Sequence, residues 1–591
     1  MAETQTANRK MLTRLMLQLL PVQILLALVG SINGIVSSFF ASNYVGTEAM
    51  AAMGLYTPIN TALRAVSAML VGGATILCSR YMGQNQQKKM QSVFSLSMAL
   101  SALIAMAGVL LFVISASFRL TRVMTSEPEV LRLFNRYLIG QAIGLPPLLM
   151  GNQLTAFLTM ENKSTRATAA SVVYIAANLL LNVLFVKVLR LEAFGLALAS
   201  AIGMWVMFSV EAQYFISGKS HVVLSMRELS WAEGREIFHI GLPGALSKCY
   251  QTVRGLIVNN LILVFVGSVG ISAMAAVDNL LDIIWTIPTA TLVISRMLIG
   301  VSVGEEDRQS LVDVMRVMMR RYVPIMCAAA AVYIVFAVPL TEVYYRDPSQ
   351  PVYWMTVWGF RIVPLCMPAS IVSMHFVCYG ESSGKHGFVH LMSLLEGVVS
   401  VTVFTALLIR SVGMNSVYIA NVLNNVVTTL VIIGYAWLKQ RRFPRNMEEL
   451  MVLPENFGAS PDGRMDLTIK NMDEVVNVAE RVQNFCLSRG VDKRRAYLAG
   501  LALEEMAGNV VSHGFNKDRR QHTVDIRVVH KEEDVILRIK DDCVPFDPEE
   551  RRKLDGAEDV TKNIGLRIVF KTAKSIQYQN ILGLNVLTMR I

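Results

Sequence analysis

The chain has 591 residues, of which 53% are hydrophobic and only 17% charged, a balance too apolar for the surface of a soluble protein. Its formal net charge of +11 belongs almost wholly to the first three quarters, so the basic residues indicate loops against anionic lipid and not a nucleic-acid surface. The seven cysteines show no CxxC spacing, which argues against a disulfide framework and against a zinc site.

Apolar runs of about 20 residues, the length that crosses the hydrocarbon of a bilayer, follow one another through most of the chain. The first begins near Leu15 and is too long for a cleaved signal sequence, so we interpret it as a span. The pattern predicts twelve spans, near residues 15–40, 50–78, 91–116, 132–158, 167–187, 194–216, 239–266, 271–300, 322–341, 353–379, 387–409 and 416–437.

The stretch 44–93 recurs further along the chain at a constant offset of 221 residues. Each copy runs from a Val-Gly corner through an apolar segment to a glycine and then into a polar, charged turn. An offset shared over a whole helix pair indicates an internal duplication, which is typical of transporters built from two matching lobes. The matched pairs are Val45-Gly46 with Val266-Gly267, Ala52-Met53 with Ala273-Met274, Gly83 with Gly304, and Val93 with Val314.

The duplication and the loop charges together predict the organisation of the membrane part. We expect one six-helix lobe over 1–220 and a second over 221–445. Lysine and arginine are concentrated in one set of predicted loops, which includes the N-terminus and the tail. By the positive-inside rule, both ends face the cytoplasm, and the protein is a multi-pass protein of the cytoplasmic membrane. The tail therefore meets ATP.

Two acidic residues, Asp278 and Asp282, stand four positions apart on one face of the eighth predicted span. Charges inside spans are costly and are therefore candidates for function. Two carboxylates placed in this way favour the binding of a proton or a sodium ion, because the cation relieves their repulsion. The alternatives are a salt bridge to Arg254 or Arg361, or a pair near the outer interface.

Three further charges, Arg64, Glu396 and Arg361, lie inside predicted spans. Arg64 either lines a substrate cavity that accepts anions or pairs across the lobes with Asp278, Asp282 or Glu396. Arg361 is a second candidate for the substrate cavity. Glu396 is a weaker candidate for ion coupling.

The phrase Tyr44-Val-Gly-Thr-Glu-Ala-Met-Ala-Ala-Met-Gly54, followed by Ser79-Arg-Tyr-Met-Gly83, resembles the multidrug and toxic compound extrusion (MATE) transporters over about residues 10–440. The resemblance implies an antiporter that expels organic cations or amphiphiles in exchange for H⁺ or Na⁺. Many members carry an aspartate in the first span, where this chain has Ser37. Because this aspartate is missing, Asp278 and Asp282 become the stronger candidates for ion coupling.

After the last predicted span the composition changes to that of a soluble α/β domain. Turn residues over 446–464 predict a linker, and 465–591 forms the tail domain. Alternation and helical periodicity predict strands at 466–470, 522–530, 535–540, 575–579 and 585–591 and helices at 471–489, 492–513 and 565–573.

The second helix of the tail places Glu505, Asn509 and His513 on one face. A carboxylate beside an amide oxygen suits a Mg²⁺–triphosphate site, where the amide ligates the metal and the acid activates a nucleophile. Asp541 stands at a strand end, where it can accept a hydrogen bond from an adenine amino group. Gly565 opens a helix whose backbone N–H groups can meet phosphate.

In this order and spacing the motifs resemble the histidine-kinase-like (GHKL) ATP-binding fold, and most closely the anti-sigma-factor serine kinases. The resemblance implies Glu505 as general base, Asn509 as Mg²⁺ ligand, Asp541 as adenine reader and Gly565 in the phosphate lid. His513-Gly514 closes the first motif as in the family. The chain departs from the family at two positions that usually hold glycine, Cys543 and Asn563.

The sequence therefore predicts a MATE-like efflux transporter with a fused ATP-binding domain, which either reports nucleotide state or phosphorylates an anti-anti-sigma-like partner. The absence of a GxxxxGK[ST] motif argues against ATP-driven transport. A second hypothesis is a membrane ligand sensor that controls a kinase domain without net flux. A third is a flippase for lipid-linked precursors, which the basic residues Arg64, Lys248, Arg254 and Arg361 favour.

Overall fold

The fold is taken from a computed structural model of the chain. The residues that it describes are 2–118, 120–124, 127–218, 220, 222–225, 227–459, 461–515, 522–531, 534–544, 564–581 and 583–591. Asn563, one of the two departures from the glycine pattern, lies outside these ranges.

Long apolar helices occupy the first three quarters of the chain. Ten helices of the described part are long and apolar enough to cross a membrane. The helices at the fourth and seventh predicted spans are also long but are not among these ten, so the count of twelve spans stays a prediction. The helices are α1 (Ala2–Phe40), α2 (Thr47–Gly83), α3 (Gln87–Ser117), α4 (Pro128–Met160), α5 (Ser164–Asn182), α6 (Glu192–Ile216), α7 (Trp231–Phe265), α8 (Ser268–Gly304), α9 (Arg308–Val335), α10 (Ala337–Glu342), α11 (Pro351–Ile362), α12 (Met367–Ser382), α13 (His386–Leu394), α14 (Ser400–Val412), α15 (Asn415–Gln440) and α16 (Met447–Leu450).

The duplicated glycines meet where α2 and α8 end. A Cβ atom on Gly83 would lie 2.3 Å from the carbonyl oxygen of Val301, and one on Gly304 would lie 2.1 Å from that of Arg80. The two contacts are reciprocal, because Arg80 and Val301 are themselves 221 residues apart (301 − 80). Only glycine allows helix backbones to approach so closely. The end of the helix bundle at this crossing is called the tail-side end below.

The helical run α13–α14 is interrupted by a π-helical turn, Leu395–Val399, which contains Glu396. Within this turn Gly397 packs against α7, since a Cβ atom there would lie 2.5 Å from the Cβ of Tyr250. The backbone turn therefore places the acid beside α7. Such π turns inside helices occur frequently at functional sites.

The tail forms a five-stranded antiparallel sheet covered on one side by helices. The strand order is β1-β2-β3-β5-β4. All eight predicted tail elements are present, and their observed ends lie within two residues of the predicted ones. The elements are β1 (Arg464–Ile469), α17 (Asp473–Ser488), α18 (Lys493–Gly514), β2 (Val524–Lys531), β3 (Asp534–Asp541), α19 (Ile564–Thr572), β4 (Ser575–Ile581) and β5 (Leu584–Arg590).

The two faces of this sheet differ in chemistry because side chains alternate along each strand. One face supplies Ile526, Leu537 and Met589 to a core shared with α17 and α18. The other face, called the outer face below, is polar and turns toward the helix bundle. Its residues include Asp525, Arg527, Arg538, Lys540, Gln577 and Gln579.

The segment 446–464 rests on the tail-side end of the bundle. Lys385 donates from Nζ to the carbonyl oxygens of Met451 and Val452, at 2.6 and 2.9 Å. Gly458 has a positive φ of 76°, and a Cβ atom there would lie 2.5 Å from the carbonyl oxygen of Glu306. The connecting segment therefore packs against the helix bundle, and this packing determines the position of the first residue of the tail domain.

Candidate functional site

Most of the predicted nucleotide-site residues line one pocket between α18 and the sheet, but Glu505 and Gly565 are not among its lining residues in the described part of the chain. Asn509, His513 and Gly514 line it from the helix, and Asp541 and Cys543 line it from the end of β3. The helix is started by Asp492, whose carboxylate accepts hydrogen bonds from the backbone N–H groups of its first turn. The structure therefore brings together five residues that the sequence singled out in two separate segments.

Asp541 is held in a fixed orientation by buried hydrogen bonds. Its Oδ1 accepts from the backbone N–H of Cys543 at 2.9 Å and from Nδ2 of Asn585 at 2.7 Å. The hydroxyl of Tyr578 donates in turn to Oδ1 of Asn585 at 2.7 Å. Burial raises the pKa of Asp541, and the bonds from Asn585 and Cys543 offset part of that rise. Oδ1 carries both of these bonds, and the side chain of Cys543 also forms a hydrogen bond with the carboxyl group. We expect Oδ2 to be the oxygen that meets a ligand.

Asn585 is a site residue that the sequence reasoning missed. It lines the pocket and is 3% exposed. The signal was present, since Asn585 shares the core-facing side of β5 with Leu587 and Met589. An amide at a core position needs hydrogen-bond partners, and here its partners are Asp541, Tyr578, Asn580 and the carbonyl oxygen of Cys543.

Glu505 lies one helical turn before Asn509 and is half-buried. Burial raises the pKa of its carboxyl group, and the neighbouring Glu504 raises it further. A raised pKa is what a general base that works near neutral pH requires. Gly565 is the second residue of α19, and its surroundings lie outside the described residues.

Cys543 occupies the position at which the family usually has glycine. It is buried and lines the pocket, and a Cβ atom on Gly514 would lie 2.9 Å from the Cβ of Cys543. Gly514 therefore leaves room for the cysteine side chain. Cysteine in place of glycine at position 543 is therefore accommodated because residue 514, on α18, is a glycine.

The intramembrane charges form a second group, in the helix bundle. Asp278 and Asp282 are both exposed on α8. Arg254, on α7, donates to the carbonyl oxygen of Glu396 at 3.3 Å and interacts electrostatically with the Glu396 and Asp278 carboxylates. Lys248 interacts electrostatically with Asp282. The charges of α7, α8 and the π turn thus act on one another.

The two arginines predicted for a substrate cavity differ in their surroundings. Arg64 is exposed on α2 and interacts electrostatically with Lys248 across the bundle. Among the described residues it forms no salt bridge with Asp278, Asp282 or Glu396. Arg361 lies with its guanidinium 5.4 Å from the ring centroid of Trp358 and has no salt bridge to the acidic pair in the described part.

A buried acid in the first half of the bundle also escaped the sequence reasoning. Glu211, on α6, is 1% exposed and accepts a hydrogen bond from Thr155 Oγ1 at 2.7 Å. Its other oxygen, Oε2, has no hydrogen-bond partner within the described residues. The signal was a glutamate inside the apolar run 194–216.

These features define a polytopic membrane protein with charged groups inside its helix bundle and a soluble α/β domain with a polar pocket. Comparison with known protein families identifies the class of protein more closely. Residues 24–184 match the MatE family, and residues 470–591 match the family described as histidine kinase-like ATPase domain. These matches confirm the likeness of the membrane region to MATE proteins and of the tail to histidine kinase-like ATPase domains. The closer resemblance of the tail to the anti-sigma-factor serine kinases stays a prediction.

Several curated relatives are multidrug resistance or multidrug export proteins, and each matches part of the chain. The chain is 28% identical over 214 residues to the multidrug resistance protein NorM of Aliivibrio fischeri, which covers 35% of this chain and 46% of that protein. It is 24% identical over 238 residues to the multidrug export protein MepA of Staphylococcus haemolyticus, covering 39% and 52%. The chain thus spans about half the length of these curated relatives.

Solved structures match over the whole membrane region. An outward-facing multidrug resistance MATE family transporter of the MOP superfamily superposes with a TM-score of 0.67 at 19% identity, covering 74% of this chain and 96% of that one. A MOP superfamily transporter from Pyrococcus furiosus, described as having a binding pocket of reverse polarity, gives 0.67 at 19%, covering 75% and 97%. At this identity the likeness establishes the fold.

Proposed function

We propose that the protein is a MATE-like secondary active efflux transporter that expels organic cations or amphiphiles in exchange for H⁺ or Na⁺. The observation that carries the proposal is the fold likeness, which covers 96% of the length of a solved MATE transporter. The names of the curated relatives, multidrug resistance and multidrug export proteins, point to the same class of substrate. The protein lies in the cytoplasmic membrane with both ends in the cytoplasm.

The transporter body is proposed to consist of two six-helix lobes with twelve spans. The reciprocal approach of Gly83 and Gly304 supports this arrangement, because equivalent positions of the two sequence copies meet each other. Such a pairing is what a two-fold axis between two duplicated halves produces.

Ion coupling is assigned to Asp278 and Asp282, with Glu396 as a further acid on the same network. Binding of H⁺ or Na⁺ neutralises part of the paired negative charge and weakens the attraction between Asp278 and the guanidinium of Arg254. Release of the cation restores that attraction. The coupling ion therefore changes which charges in the bundle are paired, and through them the arrangement of α7 and α8.

The tail domain is proposed to bind ATP with Mg²⁺ in the pocket between α18 and the sheet. The residues fit these groups: Asn509 offers an amide oxygen to the metal and Asp541 offers Oδ2 to the adenine amino group. Bound Mg²⁺ would supply charge neutralisation for the triphosphate. Glu505 would act as general base, and Gly565 would present backbone N–H groups to phosphate.

Two roles follow from nucleotide binding, and both are proposals. The tail either reports nucleotide state to the transporter or transfers phosphate to serine on an anti-anti-sigma-like partner. The fused position and the contacts between the tail and the bundle support the first role. The partner protein stays a prediction.

An anionic substrate, such as a lipid-linked precursor, is a second candidate. The basic side chains Arg64, Lys248 and Arg254 support it, because Lys248 interacts electrostatically with both arginines. The Pyrococcus transporter described by its reversed pocket polarity belongs to the same fold group. The sensor hypothesis differs from both in requiring no flux.

The test is transport in vesicles that contain the purified full chain. Under an imposed proton or sodium gradient, efflux of a fluorescent organic cation such as ethidium is the expected result. Movement of a fluorescent anionic lipid without cation efflux would replace the proposal by the flippase. Ligand-dependent phosphorylation without either flux would replace it by the sensor. A matched arm without a gradient separates coupled transport from leak.

A further inference from the structure

The outer face of the tail sheet is charged and yet largely buried, which is unusual for a polar sheet face. Asp525, Arg527 and Lys540 are each less than one tenth exposed. Ordinarily such residues would face water, because buried charges must find partners. Here the tail-side end of the helix bundle supplies many of the partners.

One half of the bundle contributes the turn between α8 and α9. Arg527 forms an ion pair with Asp307, and its Nε also donates to Asp466 of the tail at 2.6 Å. Arg538 lies 3.1 Å from Oε2 of Glu305. Nζ of Lys540 donates to Oγ of Ser310 at 3.3 Å, at the start of α9.

Asp307 shows how strongly this contact is organised. Burial alone would raise the pKa of its carboxyl group, yet the pKa is well below its ordinary range because Arg527, Arg538 and Lys540 surround it. All three cations come from the tail. The carboxylate therefore remains charged under physiological conditions and pairs with groups that lie far along the chain.

The other half of the bundle contacts the same sheet. Gln579 of β4 donates to Oδ1 of Asn85, in the turn between α2 and α3. A Cβ atom on Gly583, in the turn that joins β4 to β5, would lie 3.0 Å from Nδ2 of Asn162, in the turn between α4 and α5. The turns at 84–86 and 305–307 directly follow the duplicated glycines that meet at the crossing of α2 and α8. The sheet therefore spans that crossing.

A third contact between the tail and the bundle is formed by Asp542, the residue after the pocket residue Asp541. Asp542, next to Asp541, has its Oδ2 2.8 Å from Nη1 of Arg14 on α1 and its Oδ1 2.8 Å from Nδ1 of His522. A change in the position of Asp541 on ligand binding would therefore act, through one peptide unit, on an ion pair with a membrane helix. The pocket and the bundle are thus connected through protein atoms.

We propose that the tail domain is a clamp which holds the tail-side ends of α2 and α8 together, and that nucleotide binding acts on this clamp through the Asp542–Arg14 ion pair. This inference depends on the proposed function, since a clamp matters only if these ends separate during transport. ATP then regulates the transport cycle and does not drive it. The partner of the outer face is the transporter's own duplicated turn.

The test uses charge reversal in the full chain, reconstituted in nanodiscs and in vesicles. Arg538→Glu places like charges opposite Glu305 and Asp307. We expect hydrogen–deuterium exchange in the turns 84–86 and 305–307 to rise about tenfold, the effect of losing one charge-assisted hydrogen bond. We expect ethidium efflux to rise in parallel. Adding Glu305→Arg should return both readouts toward wild type.

A matched control is Arg489→Glu, the same reversal at an exposed arginine beside Phe485 at the end of α17. It should change neither readout. Unchanged exchange in Arg538→Glu would show that the tail does not hold these turns. Raised exchange without faster efflux would show that the contact does not restrain transport. Both results overturn the clamp.

The nucleotide arm compares wild type with Arg14→Gln. ATP should change exchange in both turns of the wild type and leave Arg14→Gln unchanged. An equal response of the two proteins would overturn the Asp542–Arg14 connection. If the wild type itself shows no efflux while exchange still responds as expected, the proposed transport function fails and the docking contact stands; if the wild type shows efflux that Arg538→Glu does not raise, the clamp fails and the transport function stands. The two failures are therefore distinguishable.

Discussion

Replacing Asp541 by asparagine is expected to change which purine the tail domain accepts. In the wild type, Oδ1 accepts hydrogen bonds from Asn585 and from the backbone of Cys543. Asparagine can keep both bonds on its single carbonyl oxygen. Its Nδ2 amide then occupies the place of Oδ2, so that a hydrogen-bond donor faces the adenine amino group, which is also a donor.

The magnitude follows from the bond that is lost. A hydrogen bond to a charged acceptor contributes about 1.5–3 kcal/mol, so the affinity for ATP should fall about 10- to 150-fold. Guanine has an acceptor oxygen where adenine has the amino group. GTP should therefore gain affinity, because the new amide donates to that oxygen and a repelling carboxylate is removed.

Titration of the full chain with fluorescent ATP and GTP analogues measures both changes. The control is Asp534→Asn, the same substitution at the opposite end of β3, beside Lys574 and away from the pocket. If Asp541→Asn binds ATP as tightly as the control and still rejects GTP, Asp541 does not read the base. The pocket would then need another ligand.

Three further variants test other parts of the protein. Asn509→Ala should remove the Mg²⁺ dependence of ATP binding, measured by calorimetry with and without chelator; a retained dependence would contradict its role as ligand. Asp278→Asn with Asp282→Asn should abolish gradient-driven efflux while ATP binding persists, and unchanged efflux would exclude the pair. Burial raises the pKa of Asp525 to about 6 from 3.8, so its favourable contribution is present at low pH and lost as pH rises through 6. Asp525→Asn should therefore stabilise the protein by about 3 kcal/mol at pH 8 and by less than about 1 kcal/mol near pH 4; equal melting shifts at both pH values would contradict this.

Several tail residues that the sequence singled out line one pocket, because the signals for them are local. Glu505, Asn509 and His513 share a helix face by spacing alone, and Asp541 ends a strand whose alternation is regular. What the sequence could not supply was the hydrogen bond from Asn585, since that pairing of β3 with β5 joins residues 44 positions apart. Contacts of this kind depend on strand order.

The duplicated glycines show a different limit. Their constant offset predicted two related halves, but it did not predict that Gly83 and Gly304 approach each other's helices. A repeat records that two segments have the same fold. Their mutual position depends on the packing of the whole bundle, which involves residues spread over hundreds of positions. The sequence therefore predicted the repeat and left the contact at the tail-side end unknown.

The contact between the outer face of the sheet and the bundle could not be predicted from the sequence, for a third reason. Arg527, Arg538 and Lys540 alternate with apolar residues, the pattern of a strand with one face in water. Nothing in one sequence distinguishes a charged face that meets solvent from one that meets a membrane domain. The difference arises only from the acids at 305 and 307, which lie over 200 positions away.

The chemistry of that contact also indicates how firmly the two parts are joined. The tail has its own apolar core, which is the usual property of a separate domain. Between the two parts, Leu584 and Val586 reach the apolar core of the bundle, whereas the other contacts are mainly ion pairs and polar bonds. Polar interfaces between domains are typical of parts that move relative to each other, and salt weakens partly exposed pairs such as Arg14 with Asp542. A contact of this composition suits reversible docking, because each broken pair can be hydrated at modest cost, whereas a wholly apolar joint would fix the tail to the transporter permanently.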